Sequence, residues 1–142
     1  MSKLTSYHGT STVNASTLAA GTVNVTKGGG ELGRGFYTGE HLFEAKAWAY
    51  HVSSNKQRNV VEFEIDDAHV EALSLEVLDY GTAVLTRHRL REKGAARTHL
   101  FGLDMVWAPI VGSDRANGDQ YKWESSTAEA LLNGGNTTRK VI

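Results

Sequence analysis

Gly33-Arg34-Gly35-Phe36-Tyr37-Thr38-Gly39 sets an aromatic pair among three glycines and runs into a segment of helical periodicity. Downstream, Leu42, Phe43, Ala45, Trp48, Ala49 and Val52 recur at spacings of three and four. This predicts a helix from about Gly39 to Ser53, with Thr38 as N-cap and Glu40 in the first turn. Upstream, Tyr7-His8-Gly9-Thr10 closes a weakly alternating segment that begins at Leu4, read as a short strand whose last residues face a site. His8 precedes Tyr37 by 29 residues. Either stretch alone is a weak signal; together they organise the chain.

Between them, residues around Ala15 to Ala20 suit a short helix, and Gly21 to Gly33 shows no sustained period. Gly28-Gly29-Gly30 marks that segment as a loop tolerant of close backbone approach. Beyond the central helix, Val61, Phe63 and Ile65 alternate with Glu62 and Glu64 as in a half-buried strand, and Asp66 or Asp67 can cap a short helix through Leu73. Leu75 to Tyr80 reads as a strand and Thr82 to Lys93 as a helix ending at Gly94. Asp104 to Val111 reads as a buried strand for which Pro109 demands an edge or a bulge. After a polar turn over Gly112 to Asp119, the next strand places Gln120, Lys122 and Glu124 on one face and Tyr121 and Trp123 on the other. Ser126 and Glu129 have capping-box spacing before Ala130, Leu131 and Leu132, and the tail after Gly134 is expected to fray. Trp48, Trp107 and Trp123 are expected in the core.

A chain of 142 residues is long enough for a single domain with a real core, taken as residues 1–142 with its centre over about 4–133. Strands and helices without regular βαβ alternation make the fold class α+β. A net charge of −1 predicts no partner by itself. The absence of Cys removes disulfides, thiolate metal sites and a thiol nucleophile, and fits work in the cytoplasm as well as a domain that must unfold to cross a membrane. Met1 to Thr10 holds no apolar core of signal-peptide length, and Met105 to Val111 is too short to span a bilayer, so neither a signal peptide nor a membrane partner is expected.

Several common sites are excluded by spacing. Gly28 to Gly33 lacks the Gly-Lys-Ser/Thr of a phosphate loop, no GxGxxG follows a strand, and there is no His-Glu-x-x-His, EF-hand loop or Gly-x-Ser-x-Gly. The six histidines lack ligand spacing, so no metal is expected. Arg87, His88, Arg89, Arg91, Lys93 and Arg97 form the basic cluster of the sequence. On a helix Arg87 and Arg91 share one face while Arg89 and Lys93 take another, as on a solvated helix, with a phosphate or RNA contact as the functional rival.

With these anchors the chain resembles the ADP-ribosyltransferase superfamily, in the His-Tyr-Glu branch typified by diphtheria toxin and the poly(ADP-ribose) polymerases, and most closely its small bacterial toxin-type domains. Tyr7-His8-Gly9-Thr10 resembles the first motif and Gly35-Phe36-Tyr37-Thr38 the second. Asp119-Gln120-Tyr121-Lys122-Trp123 resembles the third. The resemblance implies two small sheets packed at a steep angle around a cleft for NAD. His8 would hold the adenosine ribose and the Gly9 backbone the nicotinamide amide. Thr10, Gly35 and Phe36 would line the site and Tyr37 would stack on nicotinamide. Gln120 stands where the family carries glutamate, and Glu124, four residues on, is the other candidate for that catalytic place; Gln120 is preferred because it opens its strand. The implied activity is transfer of one ADP-ribose from NAD to a macromolecule, protein or RNA, by a toxin or effector acting in the cytoplasm of its own or a target cell. A cognate immunity or antitoxin protein is the implied partner. NAD hydrolysis, or an inactive binding module of the same fold, are the alternatives.

Overall fold

The computed structural model describes residues 2–52, 59–112 and 118–142. Among the described residues seven strands and five helices occur in the order β1 (Lys3–Thr10), α1 (Thr12–Ala19), β2 (Phe36–Gly39), α2 (Leu42–Val52), β3 (Asn59–Asp66), α3 (Asp67–Glu71), β4 (Leu75–Val77), α4 (Tyr80–Glu92), β5 (Met105–Pro109), β6 (Asp119–Trp123), α5 (Ser126–Asn133) and β7 (Thr137–Val141). The class is α+β, as expected. Where the resemblance implied two small sheets, the strands are hydrogen-bonded in one open, mixed order, β4-β5-β6-β2-β1-β3-β7, in which β4 and β5 run parallel. The chain divides into two compact units. The first comprises Met1–Val23, Thr38–Ala72 and Ala130–Ile142; the second comprises Asn24–Tyr37 and Leu73–Glu129.

In the first unit β1 pairs along its whole length with β3, from Lys3 opposite Asp66 to Thr10 opposite Asn59. β3 is the strand that the Val61, Phe63, Ile65 alternation predicts. Those three side chains and Val60 are fully buried, and burial of such side chains contributes about 1.5–3 kcal/mol each. Helix α1 begins at the Ser11 cap, whose hydroxyl accepts from Asn14 N. Helix α2 starts three residues later than the periodicity suggested, because Thr38 and Gly39 are still strand. Thr38 is buried in β2, not capping a helix. The expected end at Ser53 lies outside the described residues. The tail expected to fray instead forms β7, paired with β3 from Val61 opposite Val141 to Ile65 opposite Thr137. Apolar content did not disclose it, since Thr137 to Lys140 carries none. Trp48, expected in the core, is 62% exposed: α2 turns Ala45 and Ala49 inward and leaves Trp48 and Phe43 outside.

In the second unit β5 lies between β4 and β6, and the antiparallel β5–β6 register runs from Met105 opposite Trp123 to Pro109 opposite Asp119. Pro109 therefore closes its strand, where loss of one donor costs least. The middle of the polar turn over Gly112 to Asp119 lies outside the described residues. Asp79 caps α4 by accepting from Thr82 N at 2.7 Å, and Gly94, at a φ of 62°, ends it. Leu32, Leu78, Ala83, Val106 and Ala108 make a core against which Tyr37, Phe101 and Val111 pack. Trp123 is buried as expected, while Trp107 is 38% exposed and donates its indole N–H to Asp119. The cap of α5 is Ser125, not Ser126: its Oγ accepts from Ala128 N at 3.0 Å, and Glu129 accepts from Val25 N rather than reaching back to the cap.

Candidate functional site

His8, Gly9 and Thr10 belong to the first unit, and Gly35, Phe36, Tyr37, Gln120 and Glu124 to the second. On β1, Gly9 faces α2. A Cβ there would collide with the Ala45 carbonyl and stand 3.1 Å from Ala49 N, so the helix backbone lies directly on the strand. Thr10 is buried and His8 half-buried, opposite Val61 of β3. Within the first unit Tyr7 of β1 lies opposite Gly39 of β2.

In the second unit, Gly35 lies against β6, where a Cβ would come within 2.8 Å of Lys122 Cγ and 3.0 Å of Trp123 O. Phe36 is buried beside it. Tyr37 is held at both ends: its ring packs on the Leu32, Val106 core, and its hydroxyl donates to Gly33 O at 2.6 Å and accepts from Leu32 N at 3.0 Å. Gly30 lies over the phenol end, with 2.9 Å between ring and any Cβ placed there. Burial pushes the phenol's pKa up; the Leu32 N–H opposes this, and the charges of Glu31 and Glu124 add to the rise. Tyr37 is therefore a neutral phenol anchored by its hydroxyl.

The strand β6 is buried on both faces. Gln120 is 8% exposed, Lys122 0% and Glu124 5%. Glu124 accepts from Lys122 Nζ at 2.5 Å and from the backbone N–H groups of Phe101 and Gly102 at 2.8 Å and Leu103 at 3.2 Å. Burial alone would raise its carboxyl; the Lys122 bond and the backbone donors outweigh this and hold it below the usual range. Burial lowers the Lys122 ammonium, against the opposing pull of Glu124. Lys122 also lies 4.8 Å from the centre of the Phe101 ring. Glu124 is thus fully engaged in holding the 101–103 turn.

Gln120 is placed differently. Its Nε2 donates to Glu31 Oε1 at 2.8 Å and to Pro109 O at 3.3 Å. Glu31 Oε1 accepts as well from Val111 N at 3.0 Å, and Glu31 Oε2 lies 3.8 Å from Arg87 Nε. Glu31 was not among the residues singled out from the sequence, because it sits in a segment without a period, next to three glycines. Lys122 was not singled out, because alternation shows only that it shares a face with Gln120 and Glu124. The basic cluster is split as its helical spacing requires: Arg87 and Arg91 line a pocket of about 240 Å³ with Gly30, Glu31 and Gly112, while Arg97 donates to Lys27 O. A larger pocket of about 380 Å³ lies beside Arg34, Leu103 and Glu129.

Among the described residues no group of three or more His, Asp or Glu could hold a metal ion, and no helix is long and apolar enough to cross a membrane. No protein-family model matches the chain, and no curated protein matches it in sequence. The functional reading therefore stands on the residues themselves.

Proposed function

We propose that the protein transfers a single ADP-ribose from NAD to a macromolecular acceptor, on an ADP-ribosyltransferase-type fold. The observation that carries the reading is the anchored Tyr37 of the second unit, whose hydroxyl donates to Gly33 O at 2.6 Å and accepts from Leu32 N at 3.0 Å. The residues present suit NAD chemically. By residue type, a tyrosine ring suits stacking on nicotinamide, a glycine backbone suits its amide, and a glutamine oxygen suits the ribose.

In the reaction the bond between ribose C1′ and the nicotinamide nitrogen breaks and its electron pair leaves with the ring. A lone pair of the acceptor forms the new bond to C1′, and the acceptor's proton passes to solvent. Positive charge develops on the ribose, so groups fixed beforehand around it act mainly in the transition state. His8 and Gly9 take the adenosine ribose and the nicotinamide amide in this reading, with Thr10, Gly35 and Phe36 lining the site. Tyr37 takes the leaving ring and Gln120 the 2′-OH. Glu124, with every acceptor position engaged by the protein, is assigned to structure. A cognate immunity protein would be the partner of a toxin of this kind.

The test is incubation of the protein with labelled NAD and a cell lysate. Label on macromolecules that disappears with Tyr37→Ala is the expected result, and protease or nuclease treatment of the product then identifies the acceptor polymer. Free ADP-ribose alone would mean NAD hydrolysis. No turnover, and no heat of NAD binding in calorimetry, would leave a binding module and overturn the proposal.

A further inference from the structure

A glutamine side chain can present either end of its amide to a ligand, because carbonyl oxygen and NH2 interchange by a half-turn of the last torsion. At Gln120 two acceptors claim the nitrogen, Glu31 Oε1 at 2.8 Å and Pro109 O at 3.3 Å. A flipped amide would set its oxygen against a carboxylate and a backbone carbonyl, losing a charge-assisted hydrogen bond. Gln120 Oε1, by contrast, accepts from no described residue.

Glu31 is itself held from three sides. Val111 N donates to the same oxygen at 3.0 Å, Arg87 Nε stands 3.8 Å from the other, and a Cβ at Gly112 would collide with the carboxylate. The carboxylate therefore has a fixed place, and through it so has the amide. We propose that Glu31 is a positioning residue that makes Gln120 an obligate hydrogen-bond acceptor, presenting its Oε1 to the ribose 2′-OH of NAD. This rests on the ADP-ribosyl-transfer reading above. It answers a difficulty of that reading: an amide stands where a carboxylate is usual, and a carboxylate cannot present a donor by mistake. With Glu31 behind it, neither can this glutamine.

The experiment uses the full chain with Glu31→Gln, which keeps an acceptor oxygen, and Glu31→Met, which has none. Two readouts are followed: the side-chain amide resonance of Gln120 in a nitrogen–proton correlation spectrum, assigned by its loss in Gln120→Ala, and kcat and KM for NAD cleavage. Glu31→Met is expected to move the Gln120 resonance to the position of a solvated amide. It should lower kcat roughly 100-fold, the scale of losing one fixed transition-state hydrogen bond, with little change in KM. Glu31→Gln should retain the resonance and keep kcat within about tenfold of the wild type. An unmoved resonance in Glu31→Met overturns the proposal, whatever the activity. So does a moved resonance with unchanged kcat, or a loss in Glu31→Gln as deep as in Glu31→Met, which would make the carboxylate itself the reacting group. If the wild type cleaves no NAD while the resonance behaves as expected, the transfer reading falls and the fixed amide stands.

Discussion

At the scale of single residues, the Lys122–Glu124 pair decides how the β6 strand is to be read. Two ionised side chains at 0% and 5% exposure satisfy each other and three backbone donors, an arrangement that penalises half-removal. Removing one member of a buried pair leaves an uncompensated charge and costs about 3–5 kcal/mol, whereas apolar replacement of both is often neutral. Glu124→Leu alone should therefore lower the stability measured by urea unfolding by an amount of that order. The double variant Lys122→Met with Glu124→Leu should recover much of it. Loss of turnover in Glu124→Ala would then speak of folding, so it cannot by itself identify the reacting group. Sequence alternation placed Gln120 and Lys122 on a common strand, while Glu124 lies just past its end. It could not disclose that the strand is covered on both faces, because period two marks which side chains share a face and not whether that face meets water. Glu31 had no signal at all, since its partners Gln120, Val111 and Arg87 lie 56 to 89 residues away along the chain.

Elements were legible where their own side chains carry the pattern, and obscure where a distant partner makes them. β3 and α4 followed from Val61, Phe63 and Ile65 and from the stop at Gly94. β7 did not, because Thr137-Thr138-Arg139-Lys140 is a strand only through its hydrogen bonds to β3. Arg139 also serves two helices, its guanidinium donating to Leu132 O at 2.9 Å, Gly134 O at 3.0 Å and Ala19 O at 3.4 Å and so closing the carbonyl ends of α5 and α1. Arg139→Ala removes those charge-assisted bonds together and should cost about 1.5–3 kcal/mol, with melting temperature as the readout. Arg139→Lys, which lacks the fork, should rescue only part of the loss. An unchanged melting temperature in Arg139→Ala would reduce β7 to an ornament of β3.

Across the whole molecule the titrating groups are unevenly shared. Among the described residues, every group with a shifted pKa lies in the second unit: Tyr37, Asp79, His99, Asp104, Lys122 and Glu124. The Ser125 hydroxyl and Ser74 N–H hold Asp104 low, the Thr82 N–H holds Asp79 low, and burial with the nearby Lys122 charge lowers His99. For each of these, and for Glu124, the depressed folded pKa contributes stability that is present above the unfolded value. That stability is lost as pH falls through the folded one, beginning below 6.5 for His99 and below 3.8 to 4.5 for the carboxylates. Amide hydrogen exchange followed down the acid range should therefore show β5 and β6 losing protection before β1 and β3; the reverse order would refute this distribution. The two units are also woven from one thread. The polypeptide passes between them after Val23, Tyr37, Ala72 and Glu129, and β3 waits for β7. During synthesis, which proceeds from the amino end, the unit that holds the first residues is the last to be completed. The ribosome must deliver Val141 before that unit can close, so a translation product halted after Glu129 holds every residue of the second unit and lacks part of the first.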